Sequence, residues 1–158
     1  QAKPDVIVVA SLYQEGALIM KKMREMGVNQ PVIGSNGFNS PEFIKIAGAA
    51  ADGVIVGTPW FPNKEDQKVK DFRKAYKDKY GKEPDQFAAQ AYDAVYLYEA
   101  ALKKAGSTTD REKFRDALKN IADFVGVTGQ FKFNEKRDPS MEVQVLQIKN
   151  GQFDALKK

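Results

Sequence analysis

The sequence contains neither cysteine nor histidine. The first absence removes any disulfide framework and any thiolate nucleophile, and the second removes the commonest metal ligand and the commonest general base. Zinc sites and Ser-His-Asp or Cys-His catalysis are thereby excluded. A lack of cysteine is compatible with oxidising and reducing compartments alike, so composition leaves the location open. Long apolar runs are missing too: Val6 to Ala10 is among the longest and falls far short of the roughly 20 residues a membrane helix needs. There is no long basic block either. The net charge of +4 arises from Lys and Arg interleaved with acids, as in Lys64, Glu65 and Asp66, which reads as solvated helix faces rather than a nucleic-acid surface. No GxGxxG or GxxxxGK[ST] loop occurs. The apolar runs end in Ser11, Ser35 and Thr58, where a phosphoacceptor switch would carry an aspartate. Asp110 and Glu112 read as first-turn helix acids, and Asp138 falls in a turn.

What the 158 residues do contain is an ordinary apolar and charged balance, enough for one folded domain with a sizeable core. Val6 to Ala10 is a continuous β-branched run, the pattern of a strand buried on both faces of a parallel sheet. A helix is expected after it, with Leu18, Ile19, Lys22, Met23 and Met26 at helical spacing and Gly27 as C-cap. Pro31 to Gly34 is the next strand. Ser40, Pro41 and Glu42 then form an N-cap, a first-turn proline and a first-turn acid, for a helix ending near Gly48. Gly53 to Thr58 is a third strand, broken by Pro59 and Pro62. The order β-α-β-α-β predicts parallel strands with right-handed crossovers.

Beyond Lys64 the alternation gives way to three helical segments, about 64–80, 85–105 and 110–124, punctuated by Gly81 and Gly106. Phe87, Ala91, Ala94, Val95, Tyr98 and Leu102 are expected to form the apolar stripe of the middle helix, with an aromatic row through Tyr92 and Tyr96. Strands return at Gly129 to Phe133 and Val143 to Lys149, and Asn150-Gly151 is the strongest hairpin signal in the chain. The chain begins at Gln1 without an initiator Met, a basic n-region or an apolar h-region, so a signal peptide is expected to be absent from it.

Several segments in sequence carry a resemblance. They are a strand ending VVAS, a helix closing MREMG, then PVIGSNGFNSPEF, IAGAAADGVIVGTPWFP, FRKAYKDKYGKEPDQFAAQAYDAVYLYEAALKKAG and VTGQFKFNEKRDP. In this order they resemble the carboxyl-terminal half of a type I periplasmic solute-binding protein, of the branched-chain amino-acid-binding family of ABC importers. The resemblance implies an α/β fold, with a doubly wound (flavodoxin-like or Rossmann-like) parallel sheet and flanking helices, forming part of a two-lobed type I binding-protein fold. It implies that residues 1–58 belong to the second lobe, 59–63 to a hinge crossing, 64–126 to helices that pack on the first lobe, and 127–158 to return strands and a hairpin of the second lobe. A binding function without catalysis, cofactor or metal follows from it. The expected partners are a small solute (an amino acid, amide or aromatic acid), the importer's membrane subunits in the full-length protein, and a second copy of this chain. The expected location of the parent protein is the periplasm, or the cell exterior as a lipoprotein. A second reading is an excised or engineered lobe that folds or dimerises without binding ligand.

In open α/β sheets, ligands sit beyond the carboxyl ends of the strands, which selects Ser11–Glu15, Ser35–Phe38 and Thr58–Phe61. The resemblance places an aromatic ligand contact at Leu12 or Tyr13, beside Ser11; the alternative for Tyr13 is an exposed loop tyrosine. Asn36, next to Gly37, stands where relatives that bind amino acids usually carry an acid for the ligand's α-ammonium. An amide there forfeits a charge-assisted hydrogen bond about twice as strong as a neutral one, unless Asn36-Gly37 is simply a turn pair. Trp60, the only tryptophan, either stacks on an aromatic ligand or plugs the hinge, and the plug is favoured. Phe87, with Gln90, is either a cleft contact or a core residue.

Overall fold

The computed structural model describes residues 3–156, and the chain divides into two units, 1–61 with 143–158, and 62–142. In the first unit, β1 (Ile7–Val9), β2 (Val32–Gly34) and β3 (Ile55–Thr58) pair in parallel, in that order. Two helices make the crossovers, α1 (Tyr13–Glu25) and α2 (Pro41–Ala47). The start of α2 is set as its sequence predicts, since the Ser40 hydroxyl accepts from the Glu42 N–H at 3.4 Å and Pro41 occupies the first turn.

The sheet is completed by a hairpin, β7 (Gln144–Lys149) and β8 (Gln152–Ala155), with β7 antiparallel to β3. At its turn Asn150 and Gly151 both adopt positive φ, 50° and 72°, the backbone that an Asn-Gly two-residue hairpin favours. The sheet order is therefore β1-β2-β3-β7-β8, parallel in its first three strands only. The core lies between this sheet and α1 and α2, where Met20, Val32, Phe38, Phe43, Val56, Leu146 and Ile148 are all fully buried.

The opposite face of the sheet is open, which corrects the expectation of strands buried on both sides. Val8, aligned with Ile33 and through it with Ile55, is 69% exposed, and Val6, Ile33, Val143 and Val145 are exposed as well. Strands alternate their side chains between faces, and the described helices of this unit cover only one face. The face of α1 also differs from expectation. Gly16, Ala17 and Met20 are buried while Leu18, Ile19 and Met26 are exposed, and Gly16 lets the Phe38 ring lie against the helix.

The second unit holds α3 (Gln67–Tyr80), α4 (Gln86–Ala105) and α5 (Arg111–Lys119), with a three-stranded antiparallel sheet of β4 (Phe124–Gly126), β5 (Gly129–Phe133) and β6 (Pro139–Ser140). Asp66, Asp85 and Asp110 cap the three helices by accepting backbone N–H groups. Asp110 is thus a cap rather than a first-turn acid. The third helix stops at Lys119, short of the expected Phe124. There Asn120 donates its amide to the Asp116 carbonyl, and the chain turns into β4.

The expected return to the first sheet near Val127 is also displaced. Residues 127–142 group with the helices, and the chain rejoins the first unit at Val143. Among the described residues no helix is long and apolar enough to cross a membrane.

Candidate ligand-binding site

The carboxyl ends of β1, β2 and β3 bring Ser11, Leu12, Tyr13, Asn36, Gly37 and Trp60 together within the first unit. Leu12 is the N-cap of α1 and is exposed, with no side-chain cap. Tyr13 opens the helix half-buried, with its ring packed on the core edge. Asn36 is exposed at the start of a 3-10 turn, Asn36–Phe38, and Gly37 is buried.

The first two loops are joined by direct contacts. Ser35 donates its hydroxyl to the Ser11 carbonyl at 2.7 Å and its N–H to the Val9 carbonyl at 3.1 Å. A Cβ on Gly37 would lie 2.5 Å from the Ser11 oxygen, so only glycine lets the two backbones approach this closely. The third loop is tied by a residue that sequence reading passed over. Asn39, nearly fully buried, donates its side-chain amide to Thr58 Oγ1 at 2.9 Å and to the Trp60 carbonyl at 2.8 Å, while the Trp60 N–H donates to the same Thr58 hydroxyl at 3.2 Å. Trp60 itself is 1% exposed, so its indole offers no open stacking surface and fills the interior.

Phe87 lies in the second unit, on the first turn of α4, and is 37% exposed. The residues of α4 that are buried are Gln86, Ala89, Asp93, Leu97 and Ala101. Of the apolar stripe read from the sequence, Phe87, Ala91, Val95 and Tyr98 are exposed and Ala94 and Leu102 are half-buried, so most of it is uncovered in this chain. The decisive contact is Asp93. Its carboxylate accepts the Val127 and Thr128 N–H groups at 2.8 Å each and the Thr128 hydroxyl at 2.5 Å, which fixes α4 on the β4–β5 connection. Gly126 is required there, since a Cβ would sit 2.3 Å from that carboxylate.

Two concavities lie in the second unit, about 490 Å³ beside Phe72, Tyr92, Tyr96 and Phe124, and about 370 Å³ beside Leu97, Tyr98, Phe131 and Phe133. Both are open and walled chiefly by aromatic and aliphatic groups, with few convergent polar groups of the kind that orient a ligand. We read them as uncovered helix faces rather than ligand pockets. In the first, Tyr92 is pushed up to about 12, first by the hydrogen bond with Tyr96 at 3.5 Å and then by burial. Elsewhere Arg73 binds the Pro62 carbonyl and Glu83, and Lys77 binds the other oxygen of Glu83. Those bonds, that from Lys77 foremost, hold the Glu83 carboxyl below its ordinary value.

A model of the periplasmic binding protein family matches residues 1–152. The chain belongs to this family. Among curated relatives, the Leu/Ile/Val-binding protein homolog 1 of Brucella abortus is 31% identical over 147 residues, covering 92% of this chain and 38% of that protein. A leucine-binding protein from Thermotoga maritima has a solved structure that matches with a TM-score of 0.86 at 34% identity, over 98% of this chain and 44% of the other. The branched-chain amino-acid transporter substrate-binding protein of Streptococcus pneumoniae, solved in complex with isoleucine, matches with a TM-score of 0.82 at 35% identity, over 96% of this chain and 43% of the other. These relatives are binding proteins, not enzymes, and the fold is that of type I periplasmic binding proteins. The chain spans less than half of the length of each of these relatives.

Proposed function

We propose that this chain is part of the substrate-binding component of an ABC importer that works in the periplasm, and that it supplies one side of a cleft for a small solute. The observation that carries the reading is the platform of strand-exit loops in the first unit. Ser11, Leu12, Tyr13, Asn36 and Gly37 converge there on a rigid backbone, at the place where open α/β sheets receive ligands. Leu12 and Tyr13 provide apolar and aromatic contact, and Asn36 provides an amide in place of an acid. That amide favours a solute whose recognition does not depend on a carboxylate facing an ammonium group. The first unit corresponds in this reading to the second lobe, and the helices of the second unit to those that pack on the first lobe.

The uncovered surfaces support self-association when the chain stands alone. The open sheet face with Val8, Ile33 and Val145 and the exposed stripe of α4 are apolar faces of the kind that a second copy would cover. The same surfaces favour the second reading, a lobe that folds and dimerises without ligand. A thermal-denaturation screen against isoleucine, leucine, aliphatic amides and aromatic carboxylates separates the two. A solute at about 100 times its dissociation constant adds roughly 2.7 kcal/mol. At roughly 2–4 °C per kcal/mol for a chain of this size the midpoint should rise by about 5–10 °C. A rise with one chemical class, lost in Tyr13→Ala, is the expected result. No rise with any class would refute binding by this chain alone.

A further inference from the structure

We propose that Phe38 is a positioning residue for the ligand-facing surface, a pin whose ring holds the loops carrying Tyr13 and Asn36 in one arrangement before any ligand arrives. The proposal rests on the reading of those loops as ligand-facing. Its physical basis is how tightly the ring is enclosed. Phe38 is fully buried and stacks on Phe43 of α2, with ring centroids 4.4 Å apart and planes 24° from parallel.

Two glycines complete the enclosure. A Cβ built on Gly16, in the first turns of α1, would lie 2.2 Å from the ring, and a Cβ on Gly34, the last residue of β2, would lie 2.2 Å from it as well. Neither glycine needs a positive φ, so glycine is required at both positions by the ring and not by the backbone. The ring therefore joins the amino end of α1, the carboxyl end of β2 and the start of α2. Three further contacts reach outward from the same turn. Ser35 Oγ binds the Ser11 carbonyl, Gly37 abuts that same oxygen, and Asn39 holds Thr58 and Trp60. The turn is thus a single piece that touches all three strand exits, with Phe38 as its only large apolar side chain.

An ordinary core residue would affect stability everywhere in proportion, whereas a pin should loosen these loops beyond the change in global stability. The test is amide hydrogen exchange on the chain, followed by NMR, in Phe38→Leu, Phe38→Ala, Gly34→Ala and the Phe38→Ala/Gly34→Ala double variant. The Gly16, Ser35 and Asn39 amides, bonded to Leu12, Val9 and Asn36 carbonyls, report the loops, and the Gly53 and Ile148 amides report the distant end of the sheet. In each single variant the loop amides should exchange roughly tenfold faster than the distant amides account for, as local opening below the global unfolding energy allows. In the double variant the methyl on residue 34 takes space that Cγ and Cδ2 of Phe38 occupied, and part of the loop protection should return. Acceleration that is uniform over the sheet, or a double variant no better protected than Gly34→Ala alone, would overturn the assignment.

An isoleucine titration of the same proteins reads the ligand role separately. If the original chain binds isoleucine, Phe38→Leu should weaken it with all contact residues intact; equal affinity would count against the pin. If the original chain binds no solute in the screen, the ligand reading fails while the exchange experiment still decides whether Phe38 fixes the loops.

Discussion

Replacing Asp93 by alanine tests how the second unit is held together. The carboxylate is 7% exposed and takes three hydrogen bonds, from the Val127 N–H, the Thr128 N–H and the Thr128 hydroxyl. Hydrogen bonds to a charged group are worth about 1.5–3 kcal/mol each. The three share one acceptor group and are not additive, and alanine also releases the carboxylate's own desolvation cost. Val127 and Thr128 are themselves buried, so their N–H groups are left without water to replace the lost acceptor. A net loss of about 3–5 kcal/mol follows from these terms. At roughly 2–4 °C per kcal/mol the midpoint of unfolding should drop by about 6–20 °C. Asp93→Asn is the sharper variant. It preserves shape, but its NH2 must face at least one N–H donor, so it should recover less than half of the loss. Urea denaturation followed by circular dichroism gives the energies, and exchange of the Val127 and Thr128 amides gives the location. A loss under about 0.5 kcal/mol in Asp93→Ala, the range of an inconsequential surface change, would refute the idea that this carboxylate fastens α4 to the β4–β5 connection.

Four other outcomes are expected. Asn39→Ala removes both side-chain donations to Thr58 and Trp60 and should cost about 1–3 kcal/mol; since Trp60 is the only tryptophan and is buried, its fluorescence should move to longer wavelength. Gly37→Ala drives a methyl to 2.5 Å from the Ser11 oxygen and should cost about 1–3 kcal/mol while speeding exchange of the Ser35 amide. Tyr92, raised to about 12 from an ordinary value near 10, favours its protonated form in the folded state. Its contribution is fully present below pH 10 and is lost as pH rises through about 12. An ultraviolet titration of Tyr96→Phe should show the high midpoint falling back, because the partner hydroxyl is its leading cause. Val8→Lys, on a strand face that is 69% exposed at this residue, should change the stability of the single chain by no more than about 1 kcal/mol. It should nevertheless dissociate the proposed self-associated form in sedimentation experiments, and an unchanged sedimentation coefficient would remove the open sheet face as the contact.

Elements set by local chemistry were legible from the sequence. The β-α-β-α-β order, the Ser40-Pro41 start of α2 and the Asn150-Gly151 turn each depend on residues within a few positions of one another. The face that each helix buries within the chain was not legible. Almost every residue of α4 from Phe87 to Leu97 is apolar or aromatic except Gln90 and Asp93, so periodicity does not select which side turns inward. The selection is made by Asp93, through partners 34 and 35 residues away in the chain. A buried carboxylate receiving two successive backbone N–H groups leaves no sign in an apolar pattern, which scores that position as surface. The same limit applies to α1, whose buried side is Gly16, Ala17 and Met20. A strong apolar moment would have marked Leu18 and Ile19, which are exposed.

The site follows the same division. Ser11, Tyr13 and Asn36 could be placed at strand exits because apolar runs locate those exits, where open α/β sheets receive ligands. Phe38 and Asn39 were passed over because nothing near them in sequence distinguishes a pin from a solvent-exposed turn residue. The available signal was distributed: glycines at 16 and 34, on two different elements, with no positive φ to explain either. A glycine that the backbone does not need implies a neighbour occupying the place of its Cβ, and two such glycines beside one turn imply a single large side chain between them. Phe38 is the only residue of the Ser35–Asn39 turn large enough to fill both places. The inference from missing side-chain volume to the residue that supplies it needs from the fold the φ of those two glycines and the nearness of the start of α1 to the end of β2, which the parallel β1–β2 pairing provides.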